Sequence, residues 1–516
     1  MTNLFEEYVP IVYKLENNNK KKILETSNDI LFSNNISYPE LNLGFHHYIH
    51  QTKDVVGDKI NSFENRKKVY LVTSLFEKNI DSQKNDQDNS INTALKTFIQ
   101  KSIIQKNDYV NVLSRAFLKL WEMIILFDLI PEKEDFVSSH IAEGPGSFIQ
   151  ATTLFRDLQE KLKKIKSSKN DKYYAISLHS ENKHLLIEKE FINYYNKEKP
   201  KRLHIFETVS KEEVKKGGGE LSDGDITQLR TINMFAGGVN TDIKGFSEDS
   251  DLVTADGGFN WVKENLQEQE AYKLIFSQIV TALKLNKKGG NFVLKIFDTY
   301  TKITLKYLEI LKSLYKEVYV TKPFTSRISN SEKYIICKNL INKVSSSDIK
   351  KLEEMINLIN KNDNYNMIEI FSDYTIDDKS IQLYKKINIE LFNKQYVGIT
   401  NILTFVNLDN YNGIEYHNYL DKQINASIFW NNTFIDPKNF NNIHKFISFH
   451  NKEQKLEEKQ EAEEKTEDDP FRASTNVDDP ETKKSSKKQS RTKAVKKLKS
   501  KEKSIDYKQQ LKNNLS

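Results

Sequence analysis

The sequence predicts an α/β protein whose core is a mostly parallel, doubly wound sheet with one antiparallel strand, and three observations lead there. Short apolar runs alternate with helix-period segments between about residues 107 and 339, the order in which strands and crossover helices build a parallel sheet. Two of the runs break off in glycine-containing turns, Glu143-Gly-Pro-Gly-Ser-Phe148 and Asp256-Gly-Gly258. The last two runs, Glu317 to Phe324 and Lys333 to Lys338, are joined by a short polar link that suits an antiparallel closing pair.

With 516 residues, 38% hydrophobic and 29% charged, the chain can bury one large core or two to three domains. No apolar run approaches the ~20 residues needed to span a bilayer, and the longest, Met123 to Ile130, is interrupted by Asp128. The first residues, Met-Thr-Asn-Leu-Phe-Glu-Glu, are acidic where a secretion signal would be basic. The single cysteine, Cys337, excludes an intramolecular disulfide and a thiolate metal cluster and fits a reducing compartment. Inside Lys333 to Lys338 it reads as a packed small hydrophobe, not a nucleophile.

Residues 1–106 mix short apolar segments with Asn/Lys-rich connectors and read as an accessory region of helices and loops. His46, His47 and His50 stand close together there. With no cysteine or His-Glu-x-x-His pattern nearby, a metal site is disfavoured against an aromatic patch or a surface touching substrate. Tyr109 to Leu129 is helical in period, with Arg115 and Lys119 on one face. Asp135 to Ala142 is a strand that runs into the Glu143 to Phe148 turn and a helix to about Lys164. In that context a nucleotide-like ligand is cradled by amides at a helix amino terminus.

Lys172 to His179 and Arg202 to Glu207 are strands, and the Gly217 to Thr227 loop leads into a helix over Leu229 to Phe235. Asp251 to Asp256 is a buried strand that delivers Asp256 to its carboxyl end, where ligands sit in open α/β sheets; an ordinary Asp-Gly turn is the plainer alternative. Glu264 to Leu285 is an amphipathic helix stopped by Lys287-Lys-Gly-Gly290. Asn291 to Phe297 is a strand, and Leu305 to Leu314 is helical. Residues 340–450 form a second accessory region, with apolar stretches at Ile368 to Tyr374 and Tyr396 to Leu408. Residues 451–516 form a charged tail expected to be disordered, acidic over Glu457 to Asp469 and basic over Lys483 to Lys503. Its basic half can hold RNA, act as a nuclear-type signal or simply solubilise the chain.

Lys295 is the informative polar residue. It is flanked by Val293, Leu294, Ile296 and Phe297, and burying an ammonium without a partner is expensive, so it needs a carboxylate, an edge position or a route to solvent.

The segments Ser222-Asp-Gly-Asp-Ile-Thr227, Asp251 to Phe259, Asn265-Leu-Gln-Glu268, Leu294-Lys-Ile-Phe-Asp298 and Lys322 to Tyr334 together resemble the FtsJ-like cap-specific mRNA nucleoside-2'-O-methyltransferases, over about Tyr109 to Asn339. The resemblance implies a Rossmann-like methyltransferase core that uses S-adenosylmethionine. It also implies a Lys-Asp-Lys-Glu tetrad at Lys119, Asp256, Lys295 and Glu332, and a cofactor turn of Glu143, Gly144, Pro145, Gly146, Ser147 and Phe148. Asp225 would face the adenosine, and Asp256 would adjoin the cofactor as well. Two departures stand out: Gly146-Ser147 replaces a frequent Gly-Gly, and His140 stands where an acidic residue is common. The second leaves Glu143 as a candidate for the amino acid part of the cofactor.

The implied reaction methylates the ribose 2'-hydroxyl of the first transcribed nucleotide or nucleotides of capped mRNA. A lysine with a pKa lowered by desolvation and a neighbouring cation can serve as base. That role falls to Lys295. Lys119 would be the neighbouring cation, with Asp256 and Glu332 holding the two ammonium groups. Arg327, Ser329 and Asn330 are RNA contacts by position. The implied partners are capped mRNA and other capping-apparatus proteins, with no membrane and no metal. The implied location is the nucleus or cytoplasm, or the virion or viral factory for a viral protein. An rRNA or tRNA 2'-O-methyltransferase, and an inactive fold kept as an RNA-binding or scaffold subunit, are the competing readings.

Overall fold

Every residue of the run Ser250–Ala255 is buried, so both of its faces are covered, as a central strand of a doubly wound sheet requires. The computed structural model describes residues 8–17, 22–61, 73–77, 95, 97–104, 111–182, 185–198, 200–217, 219–239, 243–258, 266–408, 413–440 and 443. Phe259, Asn265, the start of the Tyr109 pattern and the charged tail lie outside them.

The strands are β1 (Ile11–Leu15), β2 (Ile30–Ser33), β3 (Val137–Ile141), β4 (Lys172–Ile176), β5 (Leu203–Ile205), β6 (Ser250–Ala255), β7 (Asn286–Ile296), β8 (Tyr315–Lys322), β9 (Lys333–Leu340) and β10 (Asn366–Ile370). The helices are α1 (Leu43–Asn61), α2 (Ala116–Phe127), α3 (Ser147–Lys161), α4 (Lys189–Glu198), α5 (Lys211–Lys216), α6 (Leu229–Ala236), α7 (Tyr272–Leu285), α8 (Lys302–Leu314), α9 (Ser346–Lys361), α10 (Asp378–Leu408) and α11 (Ile414–Phe434). Among the described residues eight strands form one mixed sheet in the order β1-β8-β9-β7-β6-β3-β4-β5. β5, β4, β3, β6 and β7 are parallel, and β9 runs antiparallel between β7 and β8.

Alternate residues of the strands feed two cores. Val253, Leu294 and Ile335 pack with α6, α7, α8 and α9 on one face, while Leu252, Val293 and Ile336 pack with α2, α3, α4 and α11 on the other. The chain winds from β3 outward through β4 and β5, then returns to lay β6 and β7 on the other side. The crevice between β3 and β6 is therefore the topological switch point, where open α/β sheets take their ligands. The Glu143 to Phe148 turn follows β3, and Asp256 follows β6.

Three expectations need correction. The amino-terminal region, which the sequence presents as helices and loops, also supplies β1, an edge strand antiparallel to β8, so a second strand is reversed. Hydrogen bonds to a partner far along the chain made it a strand, and its five residues are too few for a period to show. The Tyr109 pattern becomes regular helix only at Ala116, because Asn111 and Leu113 are tied instead to the Gln150 side chain of α3. Lys287 to Gly290 does not separate α7 from a strand; it is an irregularity inside β7, with Gly289 at φ +80° and the pairing skipping from Asn286 to Asn291 opposite β6.

The stretch from 340 onward packs onto the core. β10 pairs with β2, and buried Lys306 donates to Glu369 and to the Ile370 and Phe371 carbonyls. Trp121 of α2 donates to the Phe434 carbonyl at 2.7 Å. Cys337 is buried in β9 and burial pushes its thiol up, so it is the packed hydrophobe the sequence suggests.

Candidate active site

Asp256 leaves β6 at the crevice, and its turn is fixed by Gly257 N–H donating to Gln278 Oε1 of α7 at 3.0 Å. Lys295 lies on β7, the next strand. Its ammonium donates to the Asp256 carbonyl at 2.7 Å and stands 3.2 Å from Asp256 Oδ1. A Cβ on Gly258 would come within 3.3 Å of that ammonium, so the glycine keeps its approach open. β9 pairs Tyr334 directly opposite Lys295, and the Tyr334 hydroxyl donates to Asp256 Oδ1 at 2.9 Å.

Lys119 arrives from α2 and donates to Glu332 Oε1 at 2.6 Å, just before β9 begins. Burial alone would raise the Glu332 carboxyl, but Lys119, Lys295 and Lys322 together hold it well below the ordinary carboxylate range. The four tetrad positions thus converge as two ion pairs, Lys119 with Glu332 and Lys295 with Asp256, in one field of charge. Lys322, at the end of β8, is enclosed by three acceptors: Asn330 O (3.0 Å), Asn330 Oδ1 (2.7 Å) and Glu332 O (2.6 Å). Burial lowers its ammonium to about 7, with Glu332 opposing and Lys333 and Lys119 reinforcing that fall.

The turn after β3 is shaped by its backbone. Gly146 adopts φ +109°, and a Cβ on Gly144 would stand 2.2 Å from the Leu185 carbonyl oxygen, so neither position tolerates a side chain. The amides of this terminus do not remain free for a ligand as expected: Ile149 N–H donates to Glu143 Oε1 at 2.8 Å, and Phe148 N–H also interacts with that carboxylate. A carboxylate at the end of β3 reaches the first turn of α3 more directly than any solute. Burial pushes the Glu143 carboxyl well above its usual range. Ser147 shares a 2.7 Å hydrogen bond with Ser114, and the Phe148 ring is buried near Tyr334. His140 is enclosed in the sheet between Ser138 (2.9 Å) and Thr254 (2.8 Å) and held to about 3 by burial, so it is a neutral core residue. Asp225 turns back on its own loop and accepts from Thr227 N–H and Oγ1–H.

Arg327 and Arg115 both donate to Glu77, Arg115 at 2.9 Å and 3.0 Å, and this carboxylate offsets the charge of Arg327, the one of the two that the sequence assigns to RNA. The Ser329 carbonyl accepts from Gln395, and Asn330 is engaged by Lys322. Beside this cluster lies a cavity of about 690 Å³, lined by Phe76, Arg115, Phe324, Arg327, Lys394 and Lys422 among others. Glu77, Glu122, Lys322 and Tyr334 escape a reading by residue type. A visible signal was the row Arg115, Lys119, Glu122 in an otherwise apolar helix.

The histidines of α1 form an aromatic patch: the His46 ring lies 4.4 Å from that of His50 and 5.0 Å from Tyr300. Burial lowers His50 to about 4. Among the described residues no group of three or more His, Cys, Asp or Glu is arranged to hold a metal. Nearby Asp298 would be raised by burial, yet Lys53, Lys333, His50 and His46 bring it down to about 2. A carboxyl lowered in the folded state adds stability above its unfolded pKa and loses it as pH falls through the folded one. Between pH 5 and pH 2 the wild type should therefore lose about 2 kcal/mol more than Asp298→Asn. Urea unfolding at the two pH values checks this, and equal losses would contradict it.

A sheet wound outward from β3 in both directions, with β9 inserted in reverse beside β7 and a glycine turn at the switch point, is a Rossmann-like methyltransferase fold. The FtsJ-like methyltransferase family model matches residues 112–340, the segment that holds the tetrad positions and the Glu143 to Phe148 turn. The cap-specific mRNA (nucleoside-2'-O-)-methyltransferase 1 of Mus musculus is 40% identical over 144 residues, covering 27% of this chain and 16% of that protein. The protein of the same name from Dictyostelium discoideum is 36% identical over 182 residues, covering 34% and 24%. The chain thus spans less than a quarter of the length of these two curated relatives. A solved ribosomal RNA methyltransferase of Plasmodium falciparum aligns over 44% of this chain and 98% of its own at 16% identity, with a TM-score of 0.27 that carries no weight for fold or substrate.

Proposed function

We propose that this chain transfers a methyl group from S-adenosylmethionine to the ribose 2'-hydroxyl of the first transcribed nucleotide or nucleotides of capped mRNA. The observation that supports this most is the meeting of Lys119 with Glu332 (2.6 Å) and Lys295 with Asp256 (3.2 Å) beside the β3–β6 crevice. The relatives' name supplies the substrate.

The cofactor's place would be the mouth of the crevice, where the Glu143 to Phe148 turn follows β3 and Asp256 follows β6, with Asp225 on the loop before α6. When bound, S-adenosylmethionine supplies a methyl on a positively charged sulfur that a ribose oxygen can attack. The chain's own residues do the rest. To act as base Lys295 must first give its ammonium proton to solvent; the free amine then takes the hydroxyl proton as that oxygen attacks, while the Asp256 carbonyl and Oδ1 fix the direction of its nitrogen. Tyr334 keeps Asp256 in place. Lys119, held by Glu332, orients the hydroxyl. Glu143 Oε1 accepts from Ile149 N–H of α3, and its Oε2 lies 3.9 Å from His140 Nδ1, so this acid braces the turn beside the crevice. Fixing oxygen and methyl in line contributes ~7 kcal/mol or more to lowering the barrier.

Single-turnover transfer to capped and uncapped transcripts of one sequence, with mass-spectrometric mapping, tests the proposal. The expected product is a 2'-O-methyl on the first transcribed nucleotide or nucleotides of the capped RNA. Equal methylation of the uncapped transcript, or of an internal rRNA or tRNA position, would overturn it.

A further inference from the structure

Arg115, at the N-cap of α2, and Lys119 and Glu122 on that helix follow one another at helical spacing, and all three reach the link between β8 and β9. Arg115 Nη2 donates to the Thr325 carbonyl at 2.9 Å and Lys119 to Glu332. Glu122 accepts from Phe324 N–H (2.7 Å), Thr325 N–H (3.0 Å) and Thr325 Oγ1–H (2.6 Å), and a fourth donor, Trp430 Nε1–H of α11, adds 2.9 Å. Glu122 is only 1% exposed, and burial lifts its carboxyl to about 7 against the pull of these donors. An apolar side chain would fill the same volume without that desolvation cost, so what the glutamate adds is its acceptor geometry.

The next residue extends the pattern: Ser326 Oγ–H donates to Glu332 Oε1 at 2.8 Å. The neighbouring hydroxyls of Thr325 and Ser326 are therefore pinned to two different acids. One acid, Glu122, is fixed on the helix that carries Lys119. The other, Glu332, is the partner of Lys119 itself.

We propose that Glu122 is a positioning residue of the methyltransferase site: it holds the 323–327 link in register with Lys119, and through Trp430 it makes that register depend on α11. The substrate side of the site then relies on Glu122, and the cofactor turn after β3 does not. The kinetic part of this inference rests on the proposed function, while the structural part rests on the hydrogen bonds alone.

Glu122→Gln keeps the volume and replaces one acceptor oxygen with a donor. Amide hydrogen exchange across 323–327 should rise about tenfold, and single-turnover transfer to capped RNA should fall between about tenfold and a hundredfold, as expected for a misplaced reacting group. S-adenosylmethionine affinity by titration should stay within about twofold of wild type. Trp430→Phe, which removes one donor and keeps the packing, should show the same pattern at about threefold, and it serves as the test if Glu122→Gln does not fold. Slower transfer with unchanged exchange in the link, or an equal loss of cofactor affinity, would overturn the proposal. If the wild type methylates no capped RNA, the functional reading fails, while the exchange data still decide whether Glu122 holds the link.

Discussion

Lys295→Ala should abolish methyl transfer, with a fall of at least about 10³-fold in the single-turnover rate on capped RNA, while S-adenosylmethionine binding should change little. The separation follows from where the side chain points. Lys295 spends two donor directions on the Asp256 carbonyl and Oδ1, and the cofactor turn after β3 has no hydrogen bond to it. Removing the amine also leaves Asp256 anchored, because the Tyr334 hydroxyl still donates to Oδ1 at 2.9 Å. The crevice should therefore keep its shape and lose the proposed proton acceptor. Titration calorimetry with the cofactor, run beside the rate measurement, checks both halves. Residual activity near the wild-type rate would remove Lys295 from the role of base.

Glu332→Gln should have the second largest effect, and it should be visible in stability as well as in rate. The amide keeps an oxygen for Lys119 and Ser326 but deletes the charge that offsets Lys119, Lys295 and Lys322. Stranding buried ammonium groups costs about 3 kcal/mol. The pH dependence gives this prediction its sign. The folded carboxyl is depressed, so its contribution is full above the unfolded value of 4.5 and is lost as the solution becomes more acid. The stability gap between wild type and Glu332→Gln should thus be widest near pH 7 and shrink steadily below pH 4.5. A gap that is constant from pH 7 to pH 3 would mean that packing, not charge, is what the substitution disturbs.

The two acids of the tetrad differ in how far the sequence exposes them. Asp256 ends an apolar run and is followed by two glycines, a local pattern that marks a strand end at a ligand-bearing edge. Glu332 sits in a polar link with nothing local to distinguish it from Asn330 or Ser331. Its pairing with Lys119 spans 213 positions and exists because β9 is inserted in reverse between β7 and β8, against α2. The same holds for Glu77, which captures Arg115 and Arg327 from 38 and 250 positions away.

By itself the sequence determined the alternation of strands and helices, the Glu143 to Phe148 turn and the placing of a charged Lys295 within an apolar strand, since each follows from hydrophobic period and turn chemistry within a few residues. Only the tertiary structure decided that β1 extends the sheet, that Lys295 pairs with Asp256 while Lys119 pairs with Glu332, and that Glu122 fastens the β8–β9 link. Those outcomes depend on strand order and register, which bring distant polar groups into a shared low-dielectric interior where each must find its complement.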